Sequence, residues 1–152
     1  MPEFVAKSER YRERVADSFG RQGAMHTLGA RLERVEPGVV DIVLASAPAL
    51  TQQHGFVHAG MLAAALDSAC GFAALSLMAD DAAVLTVEFK IDLLAPARGP
   101  RFRMEGRVVK PGRTITVARG HAYGVDALGQ ETLIATMACT LMAVTGREGI
   151  AD

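Results

Sequence analysis

The pattern of apolar and polar positions divides the chain into eight elements. Over residues 3–19, Phe4, Ser8, Tyr11, Val15 and Phe19 recur at spacings of three and four, and all but Ser8 are apolar. That period predicts a surface helix, with Gly20 as its C-terminal stop. Two strand-like runs, Arg31–Val35 and Val39–Ala45, flank the turn signal Glu36-Pro37-Gly38. Residues 46–58, rich in Thr, Gln, His and Gly, read as an irregular loop. From Ala59 to about Met78 the sequence MLAAALDSACGFAALSLM is apolar nearly all round. Ala and Leu favour helix, and a helix apolar on every side is buried.

Four strands are predicted after it. In Thr86–Leu93, Val87, Phe89, Ile91 and Leu93 alternate with Thr86, Glu88, Lys90 and Asp92. In Arg101–Val108, Phe102, Met104, Gly106 and Val108 alternate with Arg101, Arg103, Glu105 and Arg107. Period-two alternation marks half-buried antiparallel strands. Thr114–Tyr123 and Thr132–Ala143 complete the set, with turns at 96–100, 110–113 and 126–129. One all-apolar helix needs cover on most sides, and a curved antiparallel sheet supplies it. The expected class is α+β, in a single domain of residues 1–152.

Composition narrows the functional classes. The 152 residues are 50% hydrophobic and 22% charged, which excludes a disordered chain. Sixteen Lys and Arg against 17 Asp and Glu argue against a polyanion-binding protein as a whole. Interleaved aromatics for stacking bases are scarce, so no nucleic-acid partner is expected. Cys70 and Cys139 lie in apolar runs and form no CxxC, so neither a disulfide framework nor a zinc site is expected. The stretch Ile42–Leu66 lacks charge, but its middle, Pro48 to Gly55, excludes a bilayer-spanning helix. The start of the chain does not read as a signal peptide. No membrane partner is expected, and the setting is read as cytoplasmic.

Asp67 is the one charge in the buried helix, eight residues inside it and too deep to be an N-cap. Such a carboxylate costs several kcal/mol of desolvation unless compensated, by hydrogen bonds or by a cation. A catalytic role is the other reading. At the helix start, Ala59 and Gly60 are small and the free N–H groups favour an anion or a developing oxyanion. Tight packing would account for them equally. Ala59 and Asp67 are about 12 Å apart at 1.5 Å per residue. Both can act on one carbonyl only if they come from two copies of the chain. His54 and His58 stand four apart, but Gly55 argues against a helix and no third ligand is evident, so no metal site is expected. Residues 90–119 carry eight of the 16 basic residues against only Asp92 and Glu105. That stretch is either a solvated sheet face or a site for phosphates.

Together, Gln52, His58-Ala59-Gly60, Asp67 and the following TVEFKIDLLAPARG resemble the hotdog-fold acyl-CoA thioesterases. The nearest resemblance is to the phenylacetate-pathway (PaaI-like) branch, over about residues 25–143, with 1–24 as an added helix and loop. In that family a His-Gly-Gly opens the central helix. An acid follows eight residues after the first Gly, and an Asn or Gln stands seven before it. All three spacings are met. The resemblance implies a hotdog fold and hydrolysis of an acyl- or aryl-CoA, with coenzyme A as part of the substrate and no further cofactor.

It implies that Asp67 activates water or attacks the thioester carbonyl, and that the Ala59 N–H of another subunit polarises that carbonyl. Gln52 would orient the carbonyl or the water, His58 would support the loop, and Gly60 belongs to the same site as the second small residue of the helix start. Thr86 matches a hydroxyl used by other members, although strand parity turns it toward the Glu88 face. Arg98, Lys110 and Arg113 lie in loops suited to the CoA phosphates. The implied assembly is a homodimer that pairs into a homotetramer. Ala59 departs from the family's Gly, and Gly71 stands where some members carry Ser or Thr. The rival readings are a hotdog hydratase or dehydratase, with His54 paired to the acid, and a non-enzymatic acyl-CoA-binding protein.

Overall fold

A computed structural model describes residues 4–152. Its elements are α1 (Tyr11–Arg21), α2 (Gly23–Leu28), β1 (Arg31–Glu36), β2 (Val39–Ala45), α3 (Ala59–Leu75), β3 (Ala82–Leu93), β4 (Arg101–Lys110), β5 (Ile115–Val125) and β6 (Glu131–Thr145). The six strands form one antiparallel sheet in the order β1-β2-β4-β5-β6-β3. The sheet curves around α3, and the expected hotdog architecture is the one observed. No helix among the described residues is long and apolar enough to cross a membrane.

The seating of α3 is decided by two glycines. A Cβ on Gly106 would lie 2.2 Å from the Ala69 carbonyl oxygen, and one on Gly120 would lie 2.8 Å from Leu66. Backbone therefore meets backbone where the helix crosses β4. Around this contact Leu66, Leu75, Phe102, Met104, Met137 and Leu141 are fully buried. The helix ends at Leu75, three residues before the expected Met78. Ser76 closes it: its hydroxyl donates to the Ala73 carbonyl at 2.6 Å and accepts the Gly38 N–H at 2.8 Å. Gly38 holds φ 80° in the β1–β2 turn, so helix end and turn are tied together.

The N-terminal region differs from expectation. The helix starts at Tyr11, because Ser8 is occupied by Asp80 and by the Arg10 N–H, a local alternative to helix. Residue 3, the expected start, lies outside the described residues. Gly20 sits inside α1 and stops nothing. Gln22, extended at ψ 100°, ends α1 and opens the short α2, which the periodicity did not predict. Arg14 anchors α1 by donating to the carbonyls of Met78 (3.1 Å) and Ala82 (2.7 Å).

The glycine contact makes a direct test. Gly106→Ala forces a methyl into a backbone carbonyl, an overpacking worth roughly 1–3 kcal/mol or more. Thermal unfolding should occur about 2–12 °C lower. Gly20→Ala has open space around it and a helical backbone, so the same measurement should move up. An unchanged melting temperature for Gly106→Ala would show that the helix can lift off β4.

Candidate active site

The start of α3 is built by His58. Its backbone is extended (φ −62°, ψ 136°), and its Nδ1 accepts the Gly60 N–H at 2.8 Å. A Cβ on residue 60 would lie 3.0 Å from that nitrogen, so any larger residue there would push the His58 ring aside by a few tenths of an ångström. The Met61 and Leu62 N–H groups go to the His58 carbonyl at 2.9 and 3.3 Å. Ala59 is left as the one N–H of this turn without an acceptor among the described residues.

The loop before it is shaped by Gln52. Its N–H donates to the Phe56 carbonyl at 2.8 Å and its Oε1 accepts the His54 N–H, so its Nε2 carries no partner among the described residues. Gln52, His58 and Ala59 share a cavity of about 550 Å³ with Phe56, Leu62 and Leu93. Arg98 stands by this cavity, its guanidinium 4.5 Å from the centre of the Phe56 ring.

Asp67 lies elsewhere, in a second cavity of about 100 Å³ that Thr86 also lines. Its carboxylate accepts at one oxygen only. The Thr86 hydroxyl donates to Oδ1 at 2.8 Å and the Cys139 thiol reaches the same atom at 3.8 Å. No cation pairs with it among the described residues. Burial pushes the Asp67 carboxyl above the usual carboxylate range, and the hydrogen bonds from Thr86 and Cys139 act against that rise. Oδ2 has no partner among the described residues, which leaves it available to take a proton or to attack. Cys139 was not expected here; its apolar run gave no sign that its sulfur would meet a carboxylate. The Cys139 thiol and deep burial together push the neighbouring Cys70 thiol well up.

Thr86 corrects the parity argument. Residues directly opposite on an antiparallel pair share a face. Thr86 opposes Leu141, whereas Glu88 opposes Thr140, so Val87 is an extra residue, a β-bulge. The bulge resets the alternation, and Thr86 therefore shares the helix-facing side with Phe89, which opposes Cys139.

The basic residues do not cluster. Arg98 precedes β4, while Lys110 and Arg113 lie at its other end, about 30 Å away at ~3.4 Å per residue. Arg113 lines a separate cavity with Lys7 and Met78. Arg103 is held by Glu131 at 2.6 Å and by Asp41 at 3.3 Å, which consumes part of the positive surplus. His54, the partner a hydratase would require, lines neither the Gln52 nor the Asp67 cavity.

A family model described as "Thioesterase superfamily" matches residues 54–126. A solved thioesterase family protein from Silicibacter pomeroyi is 56% identical, covers 90% of this chain and 99% of its own, and superposes with a TM-score of 0.87. The medium/long-chain acyl-CoA thioesterase YigI of Salmonella typhimurium is 26% identical over 116 residues, 66% of this chain and 75% of that protein. The Escherichia coli PaaI protein, from the phenylacetic acid degradation operon, shares the fold: TM-score 0.79 at 16% identity, over 91% of this chain and 96% of that one.

The hydrogen bond to Asp67 predicts a pH effect. If the ionised carboxylate is the working form, kcat/KM falls on the acid side as Asp67 is protonated. Thr86→Val removes a donor that stabilises the ionised form, so the acid limb should move to higher pH. Thr86→Ser should restore it. A limb that stays in place in Thr86→Val would separate Thr86 from the working carboxylate.

Proposed function

The chain belongs to the thioesterase superfamily, with the hotdog fold, and on that premise we propose that it hydrolyses acyl-CoA thioesters at sites shared between two copies. The observation that carries the reading is the separation of a free N–H at Ala59 from a cation-free carboxylate at Asp67. They occupy different cavities of one chain. About 12 Å of helix lies between them.

A second copy answers this separation, and β3 is where it would join. This edge strand is 12 residues long, and Leu85, Val87, Phe89 and Leu93 on it are each more than a third exposed. A long apolar edge is a template for pairing with another chain. Because β3 also carries Thr86, the partner's helix start would arrive beside Asp67. In the resulting site the Ala59 N–H of one copy takes the thioester carbonyl oxygen. Its charge grows as the carbonyl carbon becomes tetrahedral, and the N–H holds it without reorganising. Asp67 of the other copy, through Oδ2, deprotonates the attacking water or attacks the carbonyl carbon itself. Thr86 holds the carboxylate's orientation, and the Gln52 Nε2 positions the carbonyl or the water. Collapse of the tetrahedral species releases the CoA thiolate.

Arg98, beside the Ala59 cavity, is the residue we assign first to the CoA phosphates. Lys110 and Arg113 would reach the same nucleotide only from a different chain. Pairing of such dimers into a tetramer, and a cytoplasmic setting, belong to the same reading.

Three outcomes test it. Asp67→Asn should lower thiol release from acyl-CoA at least about 100-fold, the lower bound for positioned acid–base help, with folding intact. Mixing inactive Asp67→Ala chains with inactive Ala59→Pro chains, which lack the N–H but tolerate proline in the first helical turn, should restore activity through hybrid sites. A monodisperse monomer that still hydrolyses acyl-CoA would overturn the shared site. Arg98→Ala should raise KM for acyl-CoA and leave a short acyl-pantetheine substrate nearly unaffected. Equal losses on both would make Arg98 structural.

A further inference from the structure

The cavity beside Asp67 is lined largely by parts of the chain outside the catalytic set. Gln22, Ser68, Phe72 and Asp152 line it with Ser18 and Val84. Phe72 is 4% exposed and its ring centre lies 5.9 Å from that of Phe19, so α1 seals the floor with an aromatic pair. The polar groups are mostly committed to one another. Ser68 Oγ donates to Gln22 Oε1 at 2.9 Å, and Ser18 Oγ donates to Asp152 Oδ1 at 2.8 Å. The Val84 N–H donates to Asp152 Oδ2 at 2.6 Å. The Gln22 Nε2 is the donor left over, with no acceptor among the described residues. Gln22 is fixed in place because it is the hinge between α1 and α2, its carbonyl accepting the Met25 and His26 N–H groups at 3.1 and 3.5 Å.

We infer that this cavity takes the acyl group, and that Gln22 selects short, uncharged acyl chains bearing a hydroxyl or oxo group. The inference rests on the proposed hydrolysis at Asp67. The carrier occupies the cavity of the partner's Ala59, so the acyl group must continue past Asp67 on the far side. Within one chain the cavity offers about 100 Å³, against about 150 Å³ for a cavity that binds the six carbons of benzene, so it accommodates about four non-hydrogen atoms. A 3-hydroxybutyryl group places four such atoms beyond its carbonyl. Its hydroxyl can accept from Gln22 Nε2. A terminal carboxylate would face both Asp67 and Asp152, so anionic acyl groups are excluded by like charge.

The test compares butyryl-, 3-hydroxybutyryl-, succinyl-, benzoyl- and octanoyl-CoA. Thiol release should favour 3-hydroxybutyryl- over butyryl-CoA by about tenfold, the scale of one hydrogen bond. Gln22→Leu should bring that ratio to near one. Gln22→Met, which keeps the length, loses the donor and adds no charge, should do the same and guards against a folding defect. An unchanged ratio in both variants, or a wild-type preference for octanoyl-, benzoyl- or succinyl-CoA, would overturn the assignment. Calorimetric binding of the non-hydrolysable thioether analogues of the two butyryl substrates separates the two readings. Tighter binding of the hydroxylated analogue without any thiol release would keep the pocket and discard hydrolysis. Equal binding of both would discard the pocket.

Discussion

A helix with apolar side chains on every face can exist in water only if each face is covered, and the rest of this molecule is organised by that need. The sheet covers one side of α3, and Gly106 and Gly120 bring it close enough for backbone to touch backbone. On another side lie α1 and α2, pinned by Arg14 and by the Ser68–Gln22 hydrogen bond. The exposed apolar residues of β3 flank what remains. Once the helix is buried this deeply, a carboxylate in it is conspicuous. Burial disfavours the charged form of Asp67 and pushes its carboxyl up, and hydroxyl and thiol donors stand where a structural ion pair would have a cation.

The same helix imposes a division of labour. In the proposed site its start offers the N–H that polarises the carbonyl, and its middle offers the carboxylate that acts on water or on the carbonyl carbon. A rigid helix cannot bring the two together, since about 12 Å separates them. The proposed pairing of two chains through β3 turns this rigidity to use, because each reacting group is then presented by an inflexible element of its own subunit. Pre-organised donors of this kind need no rearrangement as the oxyanion forms.

Much of this was legible in the sequence. The order of strands and the central helix followed from period two and from an apolar run too long for a strand. Asp67 stood out as the one charge in an apolar helix and Ala59 as its small entry residue, whereas Gln52 and His58 were singled out by the family resemblance. What escaped did so for physical reasons. The six residues of α2, bounded by glycines, are too few for periodicity to register. The start of α1 was misplaced because Ser8 is claimed by Asp80, 72 residues away. Thr86 was turned to the wrong face because Val87 keeps the apolar alternation intact while the backbone gains a residue. Cys139 and Gln22 meet Asp67 and Ser68 only through tertiary packing. The eight basic residues of 90–119 formed a run in sequence and not in space, since β4 carries its two ends apart.

The helix entry also settles which oxygen compounds it can tell apart. A tetrahedral phosphate seeks several N–H groups at once, the arrangement that makes phosphate-binding helix starts effective. Here His58 withdraws the Gly60 N–H, the His58 carbonyl occupies the next two, and Ala59 alone remains. One donor suits one carbonyl oxygen. The substrate carries a thioester at one end and phosphates at the other, and a helix start stripped to a single N–H is a poor resting place for the phosphates. In the proposed site, the reaction centre is thereby guarded against being occupied backwards, by the wrong end of an acyl-CoA.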